Sequence, residues 1–70
     1  MQLSARNQLK GKVKSIKEGA VMGEVLVALD NGDNEVVSAI TMGSIQRLKL
    51  KVGSPVTVVI KATEVMLGVD

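Results

Sequence analysis

Two runs of strand-forming residues, 22–29 and 35–41, stand on either side of Asp30-Asn31-Gly32-Asp33. Asn-Gly between β-prone runs is the preferred sequence of a type I′ hairpin turn, in which both central residues take positive φ. This tetrapeptide predicts an antiparallel hairpin and commits the middle of the chain to β structure. Residues 22–29 are apolar on nearly every position, as expected of a strand covered on both faces.

The flanking segments fit the same class. Over residues 9–16, Leu9, Val13 and Ile16 alternate imperfectly with lysines, which predicts a strand with an irregularity near Ser15. Lys17-Glu18-Gly19-Ala20 reads as a turn. Within residues 43–50, Ile45 and Leu48 fall at helical spacing, Ser44 can cap, and Arg47 and Lys49 sit where the helix dipole favours cations. Val52-Gly53-Ser54-Pro55 is a turn into a fourth strand over residues 56–62, and residues 65–69 read as a shorter fifth strand. Five strands with one short helical turn between the third and fourth define an all-β, five-stranded OB-like Greek-key barrel. One domain is expected over residues 1–70.

A core of this size stabilises a fold only marginally, and small domains usually add disulfides, a metal or oligomerisation. The sequence has no cysteine and no histidine, which excludes disulfides and argues against zinc or haem. With 46% apolar residues, oligomerisation is the remaining way to cover the surplus surface. A tight homo-oligomer is expected.

The same composition narrows function. Without His or Cys there is no Ser-His or Cys-His nucleophile, so the chain reads as a binding protein and not an enzyme. Asp30, Asp33 and Glu35 fail the calcium-loop pattern, because Gly32 occupies a position that needs an oxygen ligand. No metal cation and no organic cofactor are expected. Phe, Tyr and Trp are all absent, which removes the stacking platforms that single-stranded nucleic acid and flat ligands use. Lys10, Lys12 and Lys14 share a strand face, but the net charge is only +2. That run reads as a solvated face or protected edge in preference to a polyanion-binding stripe. No stretch is long enough to span a membrane and no signal segment opens the chain, so a cytoplasmic, membrane-free protein is expected.

Two segments are unusually polar for their surroundings. Ser4-Ala5-Arg6-Asn7-Gln8-Leu9-Lys10-Gly11 gathers a hydroxyl, a guanidinium and amides, and Lys61 interrupts an apolar run before Ala62-Thr63-Glu64-Val65-Met66. An arginine fork can meet two oxygens of a tetrahedral dianion at once, and Ser4, the backbone N–H groups near Ala5 and Lys61 add further donors. Read singly, Ser4 and Arg6 also fit a solvated terminus and Lys61 a snorkelling surface residue.

Taken together, these two segments and Ala39-Ile40-Thr41 resemble the molbindins, the Mop-type molybdenum-pterin-binding or molybdate-binding proteins of the TOBE/Mop domain class. The resemblance covers essentially the whole chain. It implies an OB-like barrel assembled as a hexamer, a trimer of dimers, with molybdate or tungstate held at subunit interfaces for storage or homeostasis. By motif, the main oxyanion site maps to Ser4, Ala5, Arg6, Lys61 and Ala62, with Thr41 supplied by a neighbouring subunit. Many relatives carry Ser where this chain has Ala62, which leaves a backbone N–H there but no hydroxyl. A second oxyanion site maps to the backbone of Gly19, Ala20 and Val21. The alternatives are a small OB-type nucleic-acid binder, favoured by the lysine run, a molybdopterin carrier, and a regulatory module with the anion as its signal.

Overall fold

The computed structural model describes residues 1–70. Four strands form one antiparallel sheet: β1 (Asn7–Lys17), β2 (Met22–Leu29), β3 (Glu35–Thr41) and β4 (Pro55–Ile60), in the order β3-β2-β1-β4. A short helix, α1 (Met42–Arg47), follows β3, and a single 3₁₀ turn (Ala62–Glu64) follows β4. The fold is small, mostly β and curled.

β1 is the strand on which the others hang. Its residues 7–12 pair with β4, from Asn7 opposite Ile60 to Lys12 opposite Pro55. Its residues 11–17 pair with β2, from Gly11 opposite Leu29 to Lys17 opposite Glu24. The expected irregularity is a bulge: Val13 faces Val27, Ser15 faces Leu26, and Lys14 is the extra residue. Its cause is the spacing of the apolar side chains. Val13 and Ile16 lie three apart, so strict alternation would aim them at opposite faces. One inserted residue brings both to the face of Val25 and Val27 and leaves Lys12 and Lys14 outside.

The core is small. Val13, Val25, Val27 and Ile45 are its buried apolar residues, with Ile16, Leu29, Ile40, Met42, Leu50, Val56 and Val58 packed around them. Gly11 is buried where β1 crosses from one partner to the other. A Cβ there would lie 2.5 Å from the Ala28 carbonyl oxygen and 2.8 Å from Val27 Cγ1, so only glycine permits that approach.

The hairpin forms at the expected place, with a different turn. The Leu29 N–H donates to the Asn34 carbonyl at 2.9 Å, so residues 30–33 make a four-residue loop. Gly32 has φ +86°, but Asn31 is not in the positive-φ region that a type I′ turn requires. Asp30 and Glu35 are drawn to Lys12 and Lys14 across the sheet, a further pull on the loop.

The helical turn is shorter than residues 43–50, and its N-cap is Thr41, not Ser44. Its end is a Schellman arrangement: the Lys49 N–H donates to the Gln46 carbonyl and the Leu50 N–H to the Ile45 carbonyl, each at 3.1 Å. Lys49 takes φ +54°, in the left-handed position usually given to glycine.

Two expectations for the C-terminal third are corrected. The fourth strand stops at Ile60, so Lys61 lies beyond it as the residue before the 3₁₀ turn. Residues 65–69 form no strand, and the sheet has four strands and not five. Strand geometry needs a neighbour to satisfy N–H and C=O groups, and no strand of this chain pairs with the segment. Met66, Leu67 and Val69 are 92%, 95% and 99% exposed.

Gly11→Ala is expected to destabilise the fold by about 1–3 kcal/mol through overpacking against backbone. Lys49→Gly is expected to stabilise it by about 0.5–1 kcal/mol, left-handed strain being relieved against glycine's greater unfolded freedom. Urea unfolding of the two variants beside wild type measures both.

Candidate oxyanion site

The β1–β4 ladder decides which site residues meet. Asn7 opposite Ile60 is the last rung, so Arg6 and Lys61, which flank it, leave the ladder at the same end. Ser4 and Ala5 continue from Arg6, and Ala62 follows Lys61 as the first residue of the 3₁₀ turn. The hydroxyl, the guanidinium and the ammonium of the two polar segments are thus carried to the same end of the sheet. Neither Arg6 nor Lys61 belongs to a salt bridge; the two in the structure are Lys12–Asp30, at 3.3 Å, and Lys14–Glu35.

Thr41 is at the other end. It closes β3 opposite Met22, beyond the Lys17–Glu24 pair that ends the β1–β2 ladder. Asn7 and Lys17 are ten residues apart along β1, a bulged strand of a curled sheet. In the ladder, Thr41 and Arg6 therefore stand at opposite ends.

Thr41 also has local work. Its Oγ1 accepts from the Ser44 N–H at 3.0 Å and lies 2.9 Å from Ser44 Oγ, to which it donates. The two hydroxyls are one bridged pair at the start of α1. Ser44 is the residue that sequence reasoning assigned to the wrong task. The Thr-x-x-Ser spacing at a helix start was the signal for this hydroxyl pair.

The residues of the second expected site lie near Thr41. Gly19, Ala20 and Val21 form the exposed turn between β1 and β2, and the Val21 carbonyl accepts from the Met42 N–H at 2.8 Å. A shallow concavity here is lined by Lys17, Glu18, Gly19, Met22, Gly23, Glu24 and Ala39. Gly19 belongs to it and Ala20 and Val21 do not. Two carboxylates against one ammonium make it a poor place for a dianion within one chain.

The basic run on β1 is largely neutralised, because Lys12 and Lys14 are paired with Asp30 and Glu35. Exposed pairs of this kind add only about 0.2–1 kcal/mol each. Their consequence is to leave no continuous positive stripe. No helix is long and apolar enough to cross a membrane.

A four-stranded curled sheet with one short helix is the fold of a TOBE-class domain. The family profile of the TOBE domain matches residues 3–67, and the chain belongs to that family. Among its relatives is molybdenum-pterin-binding protein 3 of Clostridium pasteurianum, 49% identical over 67 residues that cover 96% of this chain and 97% of that protein. The solved structure of apo MopII from Clostridium pasteurianum superimposes with a TM-score of 0.91 at 43% identity, covering 97% of this chain and all of that one. The cytoplasmic molybdate-binding protein ModG, crystallised with molybdate bound, gives a TM-score of 0.92 at 47% identity. There the match covers all of this chain and 49% of ModG. The resemblance to the molbindins read from three short motifs is thus a family relationship.

Thr41→Val is expected to cost about 1 kcal/mol of stability through loss of the helix cap, with Thr41→Ser recovering most of it. Thermal unfolding of the two variants beside wild type measures the difference.

Proposed function

We propose that this chain binds molybdate, and tungstate with it, as a tetrahedral dianion at interfaces between copies of itself, in the service of intracellular molybdenum storage and homeostasis. The observation that carries the reading is the division of the site. Arg6 and Lys61 are neighbours at one end of the sheet with no acidic partner, while Thr41 and Ser44 lie at the other end. A second copy brings the two halves together. In that arrangement Ser4, Arg6 and Lys61, with the backbone N–H groups at Ala5 and Ala62, face Thr41 and Ser44 of the neighbour.

Donor chemistry supports a dianion. A guanidinium and an ammonium with hydroxyl and backbone donors supply charge-assisted hydrogen bonds, about twice as strong as neutral ones. The names of the relatives point to molybdenum, and ModG holds molybdate itself. Their alternative ligand, a molybdenum pterin, is less well served here, because no aromatic residue exists to stack on a pterin ring.

Assembly is supported by what the single chain leaves uncovered. Only 6 of 70 residues are buried, and Val21, Val37, Val52, Met66, Leu67 and Val69 are largely exposed. An open apolar groove of about 230 Å³ runs between the sheet and the segment after α1, lined by Val25, Val27, Ile40, Leu50, Val56 and Val58 among others. A hexamer built as a trimer of dimers, in the cytoplasm, completes the proposal, with closure of an OB-like barrel as its fold. A second oxyanion position at the backbone of residues 19–21 belongs to the same assembly, where a neighbouring chain can offset Glu18 and Glu24. The role is binding, without covalent chemistry.

Calorimetric titration with molybdate, tungstate, sulfate and phosphate tests the ligand. Molybdate and tungstate are expected to bind at micromolar protein, and Arg6→Ala or Lys61→Ala is expected to weaken each by about 10- to 100-fold, the loss of one charge-assisted contact. Absence of heat with molybdate would sink the reading. Sedimentation tests assembly: an oligomer is expected, further stabilised by molybdate through mass action, and a monomer at every concentration contradicts the interface site.

A further inference from the structure

The hairpin loop carries a reactive dipeptide that the fold does nothing to shield. Asn31 and Gly32 are both exposed. The hydrogen bonds that close the loop are made at its base, from the Leu29 N–H to the Asn34 carbonyl at 2.9 Å and from the Asp30 N–H to the Lys10 carbonyl at 3.0 Å. The Gly32 N–H donates to no carbonyl, and the Asn31 side chain takes part in no hydrogen bond. Gly32 has φ +86°, and a Cβ placed on it would meet nothing within 4 Å. Glycine leaves its own nitrogen open to approach and gives the loop the dihedral freedom to swing that nitrogen towards the Asn31 side chain.

The other two asparagines are placed differently. The Asn7–Gln8 peptide lies in the β1–β4 ladder, opposite Ile60 and Val59. Asn34 holds the Leu29 N–H through its carbonyl and is followed by Glu35, which pairs with Ala28. Attack from the next backbone nitrogen would require opening the sheet at both positions, past a residue that carries a Cβ.

We propose that Asn31-Gly32 is a site of self-modification, at which the Gly32 backbone nitrogen displaces ammonia from the Asn31 side chain. A bond forms between Gly32 N and Asn31 Cγ as the Cγ–Nδ2 bond breaks. The Gly32 amide proton passes to solvent, and Nδ2 takes up a proton and leaves as ammonia. The product is a succinimide, and water, the sole co-reactant, opens it at either carbonyl. Opening at Cγ leaves an ordinary aspartate at position 31. Opening at the main-chain carbonyl leaves an isoaspartate, with the backbone running through Cβ and lengthened by one CH₂. Either product lowers the formal net charge of +2 by one unit. It also sets a new carboxylate between Asp30 and Asp33, in competition for the lysines that now hold Asp30 and Glu35. The inference is independent of the oxyanion reading.

Whole protein and a peptide of residues 28–35 are incubated in parallel at about pH 8 and followed by peptide mapping, each conversion registering as a gain of about 1 Da. Asn31 in the folded protein is expected to convert within about tenfold of the peptide's rate, the mark of a site that opens at little cost, and to yield both aspartate and isoaspartate. Asn7 and Asn34 are expected to convert more than about tenfold more slowly than Asn31. Asn31→Gln, whose longer side chain would have to close a six-membered ring, is expected to abolish the gain at that position with the thermal unfolding midpoint unchanged. Protection of Asn31 by more than about tenfold relative to the peptide overturns the inference, as does conversion of Asn7 or Asn34 within about tenfold of Asn31. A mass gain without isoaspartate also overturns it, since direct hydrolysis of the side chain, without attack by Gly32, gives aspartate alone.

Discussion

The two-sided pairing of β1 is the constraint from which the rest of the structure follows. One strand of 11 residues gives its first half to β4 and its second half to β2, overlapping only around Gly11 and Lys12. What its two partners carry at their far ends therefore lies at opposite ends of the ladder. Arg6 and Lys61 are brought together because β4 ends where β1 begins. Thr41 falls at the other end of the ladder, because β3 pairs with β2 alone and ends opposite Met22. Gly11 and the bulge at Lys14 let a single strand serve both partners, the first by permitting backbone contact and the second by turning both Val13 and Ile16 inward.

The same arrangement limits how much the chain can bury. A sheet of four short strands and one six-residue helix encloses four apolar side chains, and the apolar tail beyond the 3₁₀ turn has nothing of its own chain to pair with. In the proposed assembly the uncovered apolar surface and the divided site are completed together. Association would mend both at once, which is why ligand binding and assembly are linked in this account. An anion bridging two chains adds charge-assisted bonds where apolar contact alone would hold them.

Much of this was legible in residue order. The hairpin strands fall where the runs around Asn31-Gly32 place them, and the irregularity near Ser15 follows from Val13 and Ile16 lying three apart. Local chemistry misled where a longer-range partner decided. Asn31-Gly32 favours a two-residue turn, but the sheet closes a four-residue loop with Asp30 and Glu35 drawn towards lysines of β1. Ser44 has the makings of a cap, yet Thr41 stands one position before the helix and takes that task. Residues 65–69 carry strand propensity, but propensity does not supply a neighbour. The site residues were named from motifs. The resemblance already implied a Thr41 from a neighbouring subunit, and the register adds the ends of the ladder at which Thr41 and Arg6 stand, which no local pattern encodes.

The central claim is that each anion is held by two chains, and complementation tests it most directly. Arg6→Ala and Thr41→Val chains are unfolded together in equal amounts, refolded as mixed oligomers and titrated with molybdate, each variant alone serving as a control with impaired sites. Where a site takes Arg6 from one chain and Thr41 from another, random mixing restores about a quarter of the wild-type tight sites, the share of interfaces that receive both intact halves. Where every site is built within one chain, mixing restores none, and that result would contradict the account.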